Sequence, residues 1–145
     1  MIEVRVQAGA FDLGAEVAAL TAGRVDIGAV VTFTGLVRDV AMTLEHYPGM
    51  TERQLRGIAD NAAMRWPGVA GLVVHRYGAL EPGDPIVLVA ITARHRAEAF
   101  DAASFLMDWL KTRAPFWKRE AGTGWVTAKD SDDEAAARWS LPSRP

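Results

Sequence analysis

The sequence contains no cysteine, so it cannot form disulfides, bind a metal through thiolates or attack a substrate with a cysteine nucleophile. It has only three histidines, and they lack the spacing of a helical zinc motif. No apolar run approaches the roughly 18 residues of a membrane-spanning helix. Residues 1–6 alternate in polarity, unlike a signal peptide. These absences predict a soluble, cytoplasmic protein without a metal or cofactor.

Size and charge narrow the class further. The 145 residues fit a single domain, and half of them are hydrophobic, which is enough for a real core. The formal net charge is only −2, so nothing global attracts the chain to nucleic acid or to an anionic membrane. Gly28 and Gly35 do not form a glycine-rich phosphate loop. Any anion binding must therefore be local, and we expect no nucleic-acid or membrane partner.

Hydrophobic periodicity predicts strands and helices with a hairpin near the middle of the chain, turning at residues 81–84. This order favours an α+β fold over a doubly wound parallel sheet. The third helix is predicted to bury a stripe that includes Phe100. The predicted strands are 2–7, 28–37, 42–47, 71–77, 85–92 and 125–129, and the predicted helices begin at Asp12, at Thr51 through a capping box with Gln54, at Arg96 and at Asp132.

The most informative segment is 110–120, where cations and two large aromatic residues surround a proline. Pro115 cannot continue a helix, which places Lys111 in a last helical turn and Lys118 on an extended segment beyond the corner. The ammonium groups of Lys111 and Lys118, which come from two segments that run in different directions, can then bind one anion. The alternative is a helix C-terminus whose cations offset the helix dipole.

Other cations also stand where regular elements end. Arg38 follows a predicted strand, and His95 and Arg96 lie between a strand and the third helix. Loops at element ends often hold functional residues, and a cation in a first helical turn is unfavourable unless an anion compensates it. The alternative is a set of solvated loop residues. Together with the lysines, these cations indicate a phosphate-bearing small molecule and a lysine-assisted reaction.

Several motifs, in order, resemble the large, catalytic subunit of molybdopterin synthase. They are GAVVTFTG at 28–35 followed by Val37-Arg38, LEHYPGM at 44–50, His95-Arg96, and KTRAPFWKRE at 111–120. The resemblance covers residues 1–139 as one catalytic domain and leaves 140–145 as a flexible tail. It implies an α/β hammerhead-like single domain with an antiparallel or mixed sheet and three to four helices.

The resemblance also implies an activity. That family is a sulfurtransferase that converts cyclic pyranopterin monophosphate into molybdopterin by installing a dithiolene, with no metal or cofactor expected here. The sulfur arrives as the C-terminal Gly-Gly thiocarboxylate of a small ubiquitin-like carrier subunit, and the large subunits form a homodimer within a heterotetramer. A sulfurtransferase without cysteine cannot carry the sulfur itself, which agrees with delivery by a partner.

By the same motifs, a set of residues is expected to line the pterin and phosphate pocket. Lys111 and Lys118 are expected to be catalytic: one orients or protonates leaving oxygens, and the other stabilises charge on the thiocarboxylate and its tetrahedral intermediate. For Glu120 a salt bridge is the alternative role. The expected substrate-binding residues are Arg38, His95, Arg96, Lys111, Lys118, Arg119 and Glu120.

Two alternatives remain beside this interpretation. One is a non-catalytic anion- or partner-binding scaffold of the same fold, which would not need both lysines and the other cations. The other is a metal-dependent phosphoryl enzyme, which the missing phosphate loop disfavours. The loop after Arg38, residues 39–43, is shorter than in many relatives. If this loop helps to cover the substrate, we expect its closure to differ from that in those relatives.

Overall fold

The structure is a computed structural model that describes residues 1–113, 116–120, 124–126 and 139. These residues contain three helices and eight strands. In chain order they are β1 (Ile2–Gln7), α1 (Leu13–Thr21), β2 (Ala29–Leu36), β3 (Met42–His46), α2 (Met50–Arg65), β4 (Ala70–Arg76), β5 (Gly78–Leu80), β6 (Pro85–Ala93), α3 (Arg96–Arg113), β7 (Phe116–Glu120) and β8 (Gly124–Val126).

The strands form two sheets. The larger sheet has the order β1-β4-β6-β2, in which β1 and β4 are parallel and the other pairs antiparallel. The smaller sheet has the order β5-β3-β7-β8 and is antiparallel throughout. The predicted α+β, hammerhead-like class with a mixed sheet is confirmed, as is the pairing of β4 with β6. The short β5 between them, which joins the other sheet, was not predicted.

Helices cover both faces of the larger sheet. On β4, Val73 packs with α2 and α3 in the main core, whereas Leu72 and Val74 face the side covered by α1. Strands that are buried on both faces are apolar throughout rather than alternating, which explains the composition of β4 and β6. The smaller sheet has its own apolar cluster, formed by Val37, Met42, Leu44 and Leu80.

The start of α2 differs from the prediction. Its N-cap is Gly49, whose N–H donates to the Glu52 carboxylate at 2.7 Å. Thr51 is buried inside the first turn, where its hydroxyl accepts from the Tyr47 N–H at 2.9 Å. The capping box predicted at Thr51 and Gln54 is therefore wrong by two residues, because the positive φ of Gly49 lets the chain reverse earlier.

Phe100 is also placed differently from the prediction. The buried face of α3 is centred on small residues and Phe105, and Phe100 lies beside it with 60 % of its surface exposed. A large aromatic residue so exposed on a helix is a candidate for contact with another molecule.

The predicted fourth helix, the strand residues 127–129 and the tail 140–145 lie outside the described residues. Trp139 is described, and it packs edge-on against Trp66 and Phe105. Its indole N–H donates to the Asp108 carboxylate at 2.5 Å, which fastens this point of the chain to the α2–α3 core. Within the described part of the chain, no helix has both the length and the hydropathy needed to cross a bilayer.

Candidate functional site

The two candidate catalytic lysines lie on separate elements, as predicted. Lys111 is exposed in the last turn of α3, and Lys118 is partly buried on β7; the corner at 114–115 lies outside the described residues. Leu44 of β3 is the register partner of Lys118 and belongs to the buried cluster of the smaller sheet. Because directly opposite side chains share one face of a sheet, Lys118 leaves β7 on the core-facing side.

A histidine and a phenylalanine lie close to these lysines, because Phe116 is two residues before Lys118 on β7 and the charge of Lys111 acts on His75. The rings of His75 and Phe116 stack with centroids 3.8 Å apart and planes 16° from parallel. The His75 Nδ1 is 2.9 Å from the carbonyl oxygen of Arg76, and because a carbonyl can only accept, Nδ1 is the protonated nitrogen. Burial of the ring, and to a lesser degree the charge of Lys111, lower the pKa of His75 to about 4. The ring is therefore neutral at pH 7.

This histidine predicts a specific acid sensitivity. The ordinary pKa of histidine is 6.5, and in the folded protein that of His75 is about 4. Between these two pH values His75 is protonated in the unfolded chain but not in the folded chain, so acidification favours unfolding. A full shift of this size would correspond to roughly 3 kcal/mol, and because the residue keeps some exposure we expect about 2 kcal/mol. Urea titrations at pH 7, 5.5 and 4.5, followed by tryptophan fluorescence, measure this loss. His75→Phe should lose that much less stability over the same range, and equal losses in both proteins would contradict the assignment.

Arg38 lies at the same end of the larger sheet as the lysines. It follows β2, whose last residue Leu36 is opposite Pro85 at the start of β6. Helix α3 returns across β6 and β2, so its C-terminal end, with Lys111, reaches this end of the sheet. Arg38 is exposed, and its guanidinium is 3.8 Å from the Asp39 carboxylate. Arg38, Lys111 and Lys118 thus surround one corner of the molecule, which we call the lysine corner.

His95 and Arg96 lie at the opposite end. His95 follows β6, Arg96 opens α3, and both are exposed. At a rise of 1.5 Å per residue, Arg96 and Lys111 are roughly 22 Å apart along the helix axis. A small molecule bound to one chain cannot touch both ends. The single chain therefore does not bring together all the residues expected in one pocket.

The last two expected substrate-binding residues are Arg119 and Glu120, which end β7. Arg119 is exposed and opposite Thr43, and the alternation of a strand places it on the face of β7 away from Lys118. Glu120 is the last residue of β7, with its backbone opposite Met42. Arg119 therefore does not share a surface with Lys118 in one chain.

Sequence reasoning did not single out His75 as part of this corner. The available signal was a histidine at the end of an apolar strand, on the face of Val73 rather than the face of Val74. Its contact with Phe116 depends on two strands far apart in the chain, which periodicity does not reveal. In the described ranges, no group of three or more histidine or acidic side chains is placed to hold a metal ion.

Comparisons with known proteins agree over nearly the whole chain. A family model described as MoaE protein matches residues 6–113, which include Lys111 and end before Lys118. The molybdopterin synthase catalytic subunit of Cereibacter sphaeroides is 53% identical, covering 95% of this chain and 100% of that protein. Among solved structures, molybdopterin cofactor biosynthesis protein E from Burkholderia multivorans is 55% identical with a TM-score of 0.87 and covers 99% of both chains. Molybdopterin synthase from Staphylococcus aureus is 31% identical with a TM-score of 0.76, covering 84% of this chain and 95% of that one.

Proposed function

This chain belongs to the MoaE protein family, and we propose that it is the catalytic subunit of a molybdopterin synthase. It transfers sulfur from the thiocarboxylated C-terminus of a small carrier subunit to cyclic pyranopterin monophosphate, which forms the dithiolene of molybdopterin. The observation that supports this most directly is the lysine corner, where Phe116, two residues before Lys118 on β7, stacks on a His75 ring that is buried and close enough to Lys111 to feel its charge. Residues 1–139 are proposed as the catalytic domain, 140–145 as a tail, and the cytoplasm as the location.

The lysine corner suits the charge that this reaction develops. The sulfur of the carrier thiocarboxylate first bonds to a carbon of the precursor in place of an oxygen, which makes a thioester. Water then adds to the acyl carbon, the acyl carbon–sulfur bond breaks and the carrier leaves as a carboxylate, so the acyl carbon passes through a tetrahedral intermediate with negative charge on oxygen. An ammonium group that is held beside this oxygen lowers the barrier, and more so where apolar side chains exclude water. Lys118 emerges beside Leu44 and Phe116, which provide such surroundings. Lys111 and Arg38 then face the oxygens of the precursor.

We further propose that a second copy of the chain completes the anion pocket. His95 and Arg96 are too far from the lysine corner of their own chain to share a pocket with it. In a two-fold dimer, each copy can place its His95 and Arg96 beside the lysine corner of the other copy. The edge strand β2 exposes Phe33 and Leu36, and α3 exposes Phe100, which together offer an apolar surface for self-association. With one carrier subunit per copy, the assembly is a heterotetramer.

A metal-free single turnover tests the proposal. The chain is treated with a chelator and mixed with thiocarboxylated carrier protein and cyclic pyranopterin monophosphate, and dithiolene product is measured together with the carrier consumed. We expect product that requires both the chain and the thiocarboxylate, with two carriers consumed per product. Carrier binding without any product would support a non-catalytic scaffold instead. Product that appears only after a divalent metal is restored would support a metal-dependent enzyme.

A further inference from the structure

We infer that His75 is a positioning residue, which sets the place of Lys118 by holding Phe116 against the larger sheet. This inference rests on the proposed function for its kinetic test. His75 belongs to β4 of the larger sheet, whereas Phe116 and Lys118 belong to β7 of the smaller one. Their stack therefore joins the two sheets at the lysine corner, next to the end of the helix that provides Lys111.

The ring of His75 is fixed from two sides. Its Nδ1–H donates to the Arg76 carbonyl, which sets the orientation of the imidazole plane. The Arg76 side chain in turn donates to the carbonyl oxygens of Ala8 and Pro85, which ties together the ends of β1, β4 and β6. Phe116 lies parallel to a ring that is anchored in this rigid end of the sheet. Phe116 and Lys118 are on the same face of β7, so fixing the position of Phe116 also fixes the position of Lys118.

The chemistry of histidine suits this position. The imidazole supplies an N–H donor and a flat face at once, and a leucine would supply neither. Because its surroundings keep the ring neutral, it adds no further positive charge to the corner that holds Lys111. A charged ring there would compete for the anion that the lysines are placed to bind.

Single-turnover kinetics at saturating precursor and carrier separate positioning from simple loss of fold. A residue needed only for folding lowers the amplitude of product formation, because fewer molecules are active, and leaves the rate constant unchanged. We expect His75→Ala to lower the rate constant at least 10-fold with more than half of the amplitude retained, since small misplacements of reacting groups cost rates of this order. His75→Phe keeps the stack but loses the Nδ1–H bond, and it should fall between His75→Ala and the unchanged protein. A reduced amplitude with an unchanged rate constant in both variants would overturn the inference.

Dependence on Phe116 is tested by combining substitutions. If His75 acts through Phe116, then His75→Ala, Phe116→Ala and the double variant slow the rate constant by nearly the same factor. Multiplication of the two single effects in the double variant would show that the residues act separately and would overturn the inference. The control is Thr43→Ala, because Thr43 of β3 is opposite Arg119 and therefore lies on the sheet face away from Phe116 and Lys118. That control should change the rate constant less than 3-fold.

Hydrogen exchange provides a readout that does not need activity. In His75→Ala, backbone amides of β7 and its partner β3 should exchange at least 10-fold faster, while those of β4 and β6 keep their rates. Acceleration throughout the chain would indicate a general structural role and contradict positioning. If the unchanged protein forms no product, the proposed function fails, but this exchange pattern still decides whether His75 holds β7.

Discussion

Replacing Lys118 with alanine should slow the single turnover at least about 100-fold while the protein still folds, since loss of one preorganised donor to a developing oxyanion commonly has this effect. Folding should survive because Leu44 and Phe116, which place β7, are unchanged. Rapid quenching of the reaction with thiocarboxylated carrier measures the rate constant, and carrier binding is measured separately. Lys111→Ala should give a loss of similar size, since both ammonium groups face the same corner.

Two further variants sharpen this prediction. Lys118→Arg keeps the positive charge but replaces a compact ammonium with a planar guanidinium, so its rate constant should lie between those of the unchanged protein and Lys118→Ala. Arg119→Ala removes the neighbouring cation from the opposite face of β7, and its loss should be at least 10-fold smaller. Equal losses at positions 118 and 119 would show that charge near β7, rather than the face of the strand, is what matters. Unfolding of both lysine variants would instead support a structural role for this corner.

The placement of Lys111 and Lys118 could be predicted because its cause is local. A proline cannot continue a helix from its interior, so the sequence placed Lys111 in the helix before Pro115 and Lys118 on an extended segment after it. The position of Arg96 in the first turn of α3 followed from local signals too. Each of these predictions needed only neighbours in the sequence, and each was confirmed.

What could not be predicted depends on contacts between distant parts of the chain. The face on which Arg119 lies depends on the register of β7 against β3, and the stack of His75 on Phe116 depends on the meeting of two sheets. The separation of Arg96 from Lys111 is different, because the length of α3 already implied it. A resemblance between motifs shows which residues belong to a pocket but does not show which copy of the chain supplies each of them.

The proposal that two copies share each pocket predicts that two inactive variants will complement each other. One variant carries Lys111→Ala and Lys118→Ala, and the other carries His95→Ala and Arg96→Ala. In a mixed dimer, one pocket receives both damaged halves and the other receives both intact halves. Random pairing makes half of the dimers mixed, so about one quarter of the wild-type number of active pockets should return. Each variant alone should have none, because every pocket in its homodimer lacks one half.

The measurement is the amplitude of product formation after the two variants are unfolded together and refolded as a mixture. The matched control mixes Lys111→Ala with Lys118→Ala, and it should restore nothing because both lysines belong to the same half of the pocket. If one chain supplied the whole pocket, neither mixture would recover activity. Arg96 and Lys111 of one chain are roughly 22 Å apart along α3. Recovery in the first mixture alone would show that each pocket combines Lys111 of one chain with Arg96 of the other across the two-fold axis, rather than bringing both together by a rearrangement within one chain.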